Sequence, residues 1–120
     1  MNKNIKVVNC TPHDVVLITE SGYLGLPSIA IFKSSGIIPR LLEQQQKISS
    51  INNDGLEIDI VKKSFLEPEG LPEPQESTLY IVSALVAGAC KNRDDLVVPN
   101  DIIRDEEGKI VGCKNLAKIV

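Results

Sequence analysis

The sequence is poor in aromatic residues, and this scarcity limits both its core and its partners. Among 120 residues there are two Tyr, two Phe and no Trp. A domain of this size with so few large rings often gains buried area by association, so we expect a homo-oligomer. The formal charge is −3 and no basic stripe runs along the chain. Polymeric nucleic acid and anionic membranes are therefore not expected partners.

Residues that usually hold metals or perform nucleophilic catalysis are also scarce. His13 is the only histidine, and the three cysteines contain no C-x-x-C pair. This excludes the usual zinc patterns and indicates reduced thiols. The acidic residues lack the ligand spacing of calcium or magnesium loops. We therefore expect no metal, no cofactor and no enzymatic activity.

Phosphate-binding glycine loops and long apolar segments are missing as well. Neither G-x-x-x-x-G-K-[ST] nor G-x-G-x-x-G occurs in the sequence. No apolar signal region and no long apolar run is present, so neither secretion nor membrane spanning is expected.

What the sequence does contain is Ile, Val and Leu in short runs, which predict strands. We expect a hairpin over residues 5–18, extended runs at 29–32 and 37–42, and an alternating strand at 56–60 after a turn. Residues 67–77 hold three prolines and four glutamates. They predict an irregular crossing loop within a single domain of residues 1–120.

The C-terminal half carries the only helical signal. A strand at 78–82 precedes the small residues 84–91, which predict a helix with Ser83 as its N-cap. A hairpin over residues 102–112 follows, with Gly108 in the left-handed conformation. The predicted fold class is α+β, a mainly antiparallel sheet with one or two short helices in the C-terminal half.

Only three of the 13 basic residues are arginines, and each lies in a turn-like string. A guanidinium binds phosphate or carboxylate through a fork of donors that lysine lacks. Arg93 and Arg104 stand directly before carboxylates. Each either ties two loops together through hydrogen bonds to these carboxylates, or faces an anionic ligand while the carboxylates hold its guanidinium rigid. Arg40 follows Pro39 and has no adjacent acid, which makes it the best anion-facing candidate.

Two further positions have both a structural and a functional interpretation. Ser83 lies where a hydrolase nucleophile would lie, but the glycines of G-x-S-x-G are absent. It either caps the helix alone or marks a helix N-terminus that also contacts an anion. His13 would need a nucleophile and an orienting carboxylate to act as a base, so a turn histidine bonded to backbone is favoured.

Five strings of the sequence resemble small phage and prophage proteins. They are residues 9–13, 35–40, 80–83, 93–99 and 104–113. Among such proteins the chain is most similar to the phage Thoeris anti-defence sponge proteins of the first type. The resemblance covers most of the chain except residues 43–76.

This resemblance implies a binding protein in the cytoplasm of the infected bacterial host. Such proteins sequester cyclic nucleotide-type immune signals, above all cyclic ADP-ribose isomers and also cyclic di- or trinucleotides, without degrading them. They bind these ligands as dimers or higher assemblies, in pockets between subunits. A small phage structural or adaptor protein, acting through its β-edges and crossing loop, is the alternative. A small nucleotide hydrolase is a third, less favoured class.

The same family places arginines on phosphates, with an aromatic ring and an Asn around the base and ribose. The available rings are Tyr23, Phe32, Phe65 and Tyr80, and the sequence does not show which of them would stack on a base. The ligand-binding candidates are Arg40, Arg93, Arg104, Asn92, Ser83 and Tyr80.

Overall fold

Strands dominate the fold, and one short helix interrupts them. The computed structural model describes residues 4–19 and 28–119. The elements in this part of the chain are β1 (Lys6–Asn9), β2 (Val15–Thr19), β3 (Ser28–Phe32), β4 (Glu43–Asn53), β5 (Leu56–Phe65), β6 (Thr78–Ile81), α1 (Ala84–Ala89), β7 (Leu96–Arg104) and β8 (Ile110–Ala117).

Six strands form one mixed sheet in the order β1-β6-β7-β8-β2-β3. The pairs β1–β6, β6–β7 and β2–β8 are parallel, whereas β7–β8 and β2–β3 are antiparallel. A bridge between Asn9 and Ser34 joins the two outer strands, so the sheet is nearly closed into a barrel. The prediction of a strand-rich chain with a short helix in its C-terminal half is confirmed. The prediction of a mainly antiparallel sheet is met only in part.

The predicted hairpin over residues 5–18 is wrong. β1 pairs with β6 in parallel, with Lys6 opposite Thr78, and β2 lies between β3 and β8. The buried side chain of Asn9 shapes the connection, because its Nδ2 donates to the carbonyls of His13 and Phe32, each at 2.8 Å. Residues 37–42 likewise form no strand beyond a single bridge at Arg40.

Side chains alternate between the two faces of the sheet and form two cores. The inner cluster consists of four buried residues, Val15, Ile81, Val97 and Cys113, from β2, β6, β7 and β8. Partly buried residues of β1 and β3 pack against it, so all six strands contribute, as expected for the inside of a nearly closed sheet. The outer cluster contains Tyr80, Val82 and Leu96 together with Val86 and Ala87 of α1. Helix α1 therefore covers one side of the sheet from outside. Its N-cap is Ser83, as predicted, with Oγ accepting from Val86 N at 3.2 Å.

β4 and β5 form a separate two-stranded hairpin, residues 43–65, which we call the arm. Its tip is the predicted turn, with positive φ at Asp54 (53°) and Gly55 (85°), the pattern of a type I′ turn. Every arm residue is exposed, and neither core contains one. The radius of gyration is 19.0 Å, against about 14 Å for a compact domain of this length. The arm therefore projects from the six-stranded body.

Candidate functional site

A polar cleft of about 300 Å³ lies where the end of α1 meets the crossing loop, residues 67–77. The loop is irregular, as predicted, and is fastened to the body at several points. Backbone bonds of 2.8 Å join Glu69 to Arg40 in both directions, and Leu71 packs against the outer cluster. The cleft is lined by Glu67, Pro68, Leu71, Glu73, Ala89, Cys90, Lys91, Asn92 and Arg93.

Arg93 is the best-anchored polar side chain of this cleft. Its Nε and Nη2 each donate to the carboxylate of Asp95 at 2.8 Å, and Nη2 also donates to the carbonyl of Pro72 at 2.9 Å. The hydrogen bonds from Arg93 lower the pKa of Asp95, and the same pairing raises the pKa of Arg93. None of the hydrogen bonds in the described residues uses Nη1 of Arg93. The rest of the guanidinium is fixed by three hydrogen bonds.

Asn92 lies beside Arg93 in the cleft lining, so two of the predicted ligand-binding residues come together. Tyr80 supports them from behind. The residue is 2% exposed, its hydroxyl donates to the carbonyl of Glu73 at 3.0 Å, and its ring centroid is 6.0 Å from Cζ of Arg93. In this structure the ring has no face open to a base. Phe32 packs against the inner cluster, Phe65 is at the base of the arm, and Tyr23 lies outside the described residues.

The other two arginines do not line the cleft. Arg40 is exposed and pairs through its backbone with Glu69 of the crossing loop, so it lies beside the loop that forms one wall. Arg104 is exposed at the end of β7, where its Nη1 donates to the carbonyl of Gly108 at 2.9 Å. Leu96, which begins β7 and follows Asp95, lies roughly 26 Å away along the strand. Arg104 is therefore far from the cleft. Arg104 therefore secures the β7–β8 turn.

The charges around the cleft nearly cancel within one chain. Lys91 and Arg93 are the cations of the lining, and Glu67 and Glu73 are its carboxylates. Asp95 adds a further negative charge against the guanidinium. A doubly charged anion would therefore need cations in addition to those that line the cleft.

A second cavity, of about 440 Å³ and mostly apolar, lies between β2, β7, β8 and the start of α1. Ser83, His13 and Asp14 are among its few polar lining residues. Ser83 Oγ is occupied as the helix cap, the His13 carbonyl accepts from Asn9 and Thr11, and Asp14 accepts from Ser34 N. Among the described residues no hydrogen bond joins the side chains of His13, Asp14 and Ser83. Nothing in the sequence indicates this cavity, because β2 and β8 meet only through long-range pairing.

Comparison of the chain with protein families, with curated proteins and with solved structures finds no match. The described residues contain no group of three or more His, Cys, Asp or Glu able to hold a metal ion. The same part of the chain has no helix with the length and apolar character needed to cross a bilayer.

Proposed function

We propose that this chain is a phage-encoded binding protein that sequesters a cyclic nucleotide-type immune signal and thereby blocks bacterial anti-phage defence. The proposed ligands are cyclic ADP-ribose isomers, with cyclic di- and trinucleotides as further candidates. In this proposal the ligand is held without turnover, by a homo-oligomer in the cytoplasm of the infected host. The resemblance of the arginine-containing strings to phage sponge proteins supports this ligand class.

The observation that carries the proposal is the state of Arg93 in the polar cleft. A guanidinium fixed by a bidentate carboxylate and a carbonyl has little freedom left to lose when a phosphate binds Nη1. Asn92 supplies an amide at the same place, and an amide can both donate to and accept from a base or ribose. Lys91 adds a third hydrogen-bond donor group on the same wall.

Because the charges in one chain nearly cancel, the proposal includes cations from outside the cleft lining. Arg40 is exposed beside the crossing loop, and Arg104 is exposed, with Nη1 as its one hydrogen-bonded side-chain nitrogen among the described residues. Either one, presented by a second copy of the chain, would add a positive charge beside the phosphates of the ligand. Neither arginine has this role in an isolated subunit.

The test is isothermal titration of the folded protein with cyclic ADP-ribose isomers and cyclic dinucleotides. We expect stoichiometric heat at micromolar ligand, and mass spectrometry should recover the ligand intact after incubation. Arg40→Gln should weaken binding at an unchanged melting temperature, whereas Arg93→Lys should lower both affinity and melting temperature. Lys33→Gln, a charge change at an exposed position away from the cleft, is the control.

Absence of heat with every one of these ligands, from protein that is folded and assembled, would overturn the proposal. Recovery of a cleaved or deaminated product would point instead to the hydrolase class.

One structural feature favours the second candidate, a phage structural or adaptor protein. The arm exposes aliphatic side chains such as Ile51 and Leu56, which are 50% and 62% exposed. Projecting strands of this kind serve protein–protein contacts. In that case the three arginines only pin loops, and substituting Arg40 would lower the melting temperature and leave ligand binding unaffected.

A further inference from the structure

The two faces of the arm differ sharply in chemistry. Ile51 pairs with Ile58 and Ser49 with Ile60, so these side chains share one face, and Leu56 lies at the tip on the same face. We call Ile51, Leu56, Ile58 and Ile60 the aliphatic arm face. The opposite face carries ion pairs, Lys47–Asp59 at 3.2 Å and Lys63–Glu43 at 3.0 Å, and nearer the base of the arm it also carries Val61 and Phe65.

Within residues 4–19 and 28–119, nothing covers this aliphatic arm face. Its four side chains are 36–62% exposed, and a two-stranded hairpin without a packed face is at best marginally stable in water. The whole chain exposes 9077 Å². A compact monomer of 13.1 kDa would expose about 6,400 Å², so the excess is about 2,700 Å². Two chains together carry about twice this excess, and obligate homodimers bury on the order of 2,000–5,000 Å² or more summed over both partners, so an interface of that class covers a large part of it.

The described part of the body carries a second aliphatic sheet face, which is half-buried on β2 and exposed on β3. Along β2 and β3, Val15, Leu17 and Phe32 pack inward, so their neighbours point outward. The outward residues pair across the two strands, Val16 with Ile31 and Ile18 with Ile29. Ile29 and Ile31 are 67% and 58% exposed. We call these four residues the β2–β3 face.

We infer that the aliphatic arm face of one copy packs on the β2–β3 face of a second copy, and that the contact is reciprocal in a homodimer. Each face is two strands wide, and neither includes a charged residue among its four members. Packed sheets lie about 10 Å apart with their side chains interdigitated, as these two aliphatic faces permit. A strand of 11 residues reaches roughly 36 Å, enough to cross a neighbouring body.

A second copy of this chain fits better than an unrelated partner. The aliphatic part of one arm covers only part of a standard interface, since five residues on each of its two strands span roughly 160 Å², against about 800 Å² per partner. Reciprocal exchange doubles the contact and covers both aliphatic faces of each chain at once. The inference develops the homo-oligomer of the proposed function and does not depend on the ligand.

The experiment compares Ile58→Lys on the arm face, Ile31→Lys on the β2–β3 face, and Ser50→Lys as the matched control. Ser50 is opposite Asp59 on the ion-paired side of the arm, so its new charge is tolerated there. Sedimentation velocity without ligand should give a dimer for the wild type and for Ser50→Lys. Ile58→Lys and Ile31→Lys should each sediment as a monomer. Their far-ultraviolet circular dichroism spectra should still be those of a folded body.

Mixing the two monomeric variants tests the pairing itself. The arm of Ile31→Lys and the β2–β3 face of Ile58→Lys are both intact, so a mixed dimer keeps one of the two contacts, whereas each variant alone has both contacts altered. At a total concentration high enough for this single contact to form, the mixture should recover dimer that neither variant forms alone, with a weaker affinity than wild type. Arm-to-arm pairing cannot produce this recovery. A monomeric wild type, a dimer that survives either substitution, or no recovery on mixing would each overturn the inference. Isothermal titration of the wild type with the cyclic nucleotides tests the proposed ligand binding separately from this dimer contact.

Discussion

Among single residues, the pair Arg93–Asp95 links stability to the candidate site. Both side chains are largely buried, with 20% and 12% exposed, and two bonds of 2.8 Å join them. Asp95→Asn leaves the guanidinium with only the Pro72 carbonyl and one weaker amide acceptor. We expect a loss of about 1–3 kcal/mol in the free energy of unfolding, since a partly buried charge loses its partner.

The same pair predicts a pH dependence with a definite sign. The folded-state pKa of Asp95 is below its ordinary value of 3.8 because Arg93 donates two hydrogen bonds to the carboxylate. The pair therefore stabilises the fold fully above that ordinary value, and this contribution is lost as pH falls through the lowered folded pKa. Chemical unfolding in half-unit steps between about pH 2.5 and pH 6 should show a steeper acid decline for wild type than for Asp95→Asn. Equal declines would contradict the assignment.

Asn9 is the residue that sets the path between β1 and β2. It is 2% exposed, its Nδ2 serves two carbonyls, and its Oδ1 accepts from the backbone N–H and the hydroxyl of Thr11. Asn9→Ala removes all four hydrogen bonds, and the carbonyls of His13 and Phe32 each lose the donor that Asn9 Nδ2 supplies. We expect a destabilisation of about 2–4 kcal/mol in urea unfolding. Asn4→Ala, at an exposed position, should leave the midpoint unchanged.

At the scale of elements, the approach of β2 to β8 depends on a missing side chain. A Cβ at Gly112 would lie 3.0 Å from the Val16 carbonyl oxygen and 3.1 Å from Cδ1 of Ile18. Backbone cannot yield as a flexible side chain does, so Gly112→Ala should cost about 1–3 kcal/mol and lower the melting temperature.

Gly88→Ala is the matched control for that substitution. Gly88 lies inside α1 with ordinary φ, and among the described residues no packing neighbour is within 4 Å of the position that an alanine methyl would take. Alanine there should stabilise the helix by about 0.5–1 kcal/mol. If Gly112→Ala and Gly88→Ala shift the melting temperature in the same direction, the need for glycine at position 112 does not come from the close approach of β2 to β8.

Elements whose signals are local could be predicted from the sequence. The helix after Ser83, the β7–β8 hairpin around Gly108 and the turn at Asp54–Gly55 each follow from residues adjacent in the chain. The parallel pairs of β1 with β6 and β2 with β8 could not, because alternation shows that a strand exists and not which strand it meets.

The candidate site also has one part that could be predicted from the sequence and one part that could not. Asn92 and Arg93 are neighbours in sequence and remain neighbours in the cleft. The two walls of the cleft come from α1 and the crossing loop, about 20 residues apart in the chain. Only the folded chain shows that Pro72 and Asp95 converge on one guanidinium.

For the whole molecule, the division into body and arm predicts that the two parts are separable. Both hydrophobic clusters lie in the body, and a backbone bond of 2.9 Å from Leu66 N to the Leu42 carbonyl closes the base of the arm. Residues 43–65 can therefore be replaced by an Asn-Gly turn without stretching the chain. We expect a monomer that unfolds cooperatively, with a melting temperature close to that of the full-length monomeric variant Ile58→Lys, because the arm adds no residue to either core. Differential scanning calorimetry and sedimentation measure the two properties on one sample. A shortened chain without a cooperative transition would show that the body needs the arm to fold, and a shortened chain that still dimerised would show that the arm is not the means of assembly.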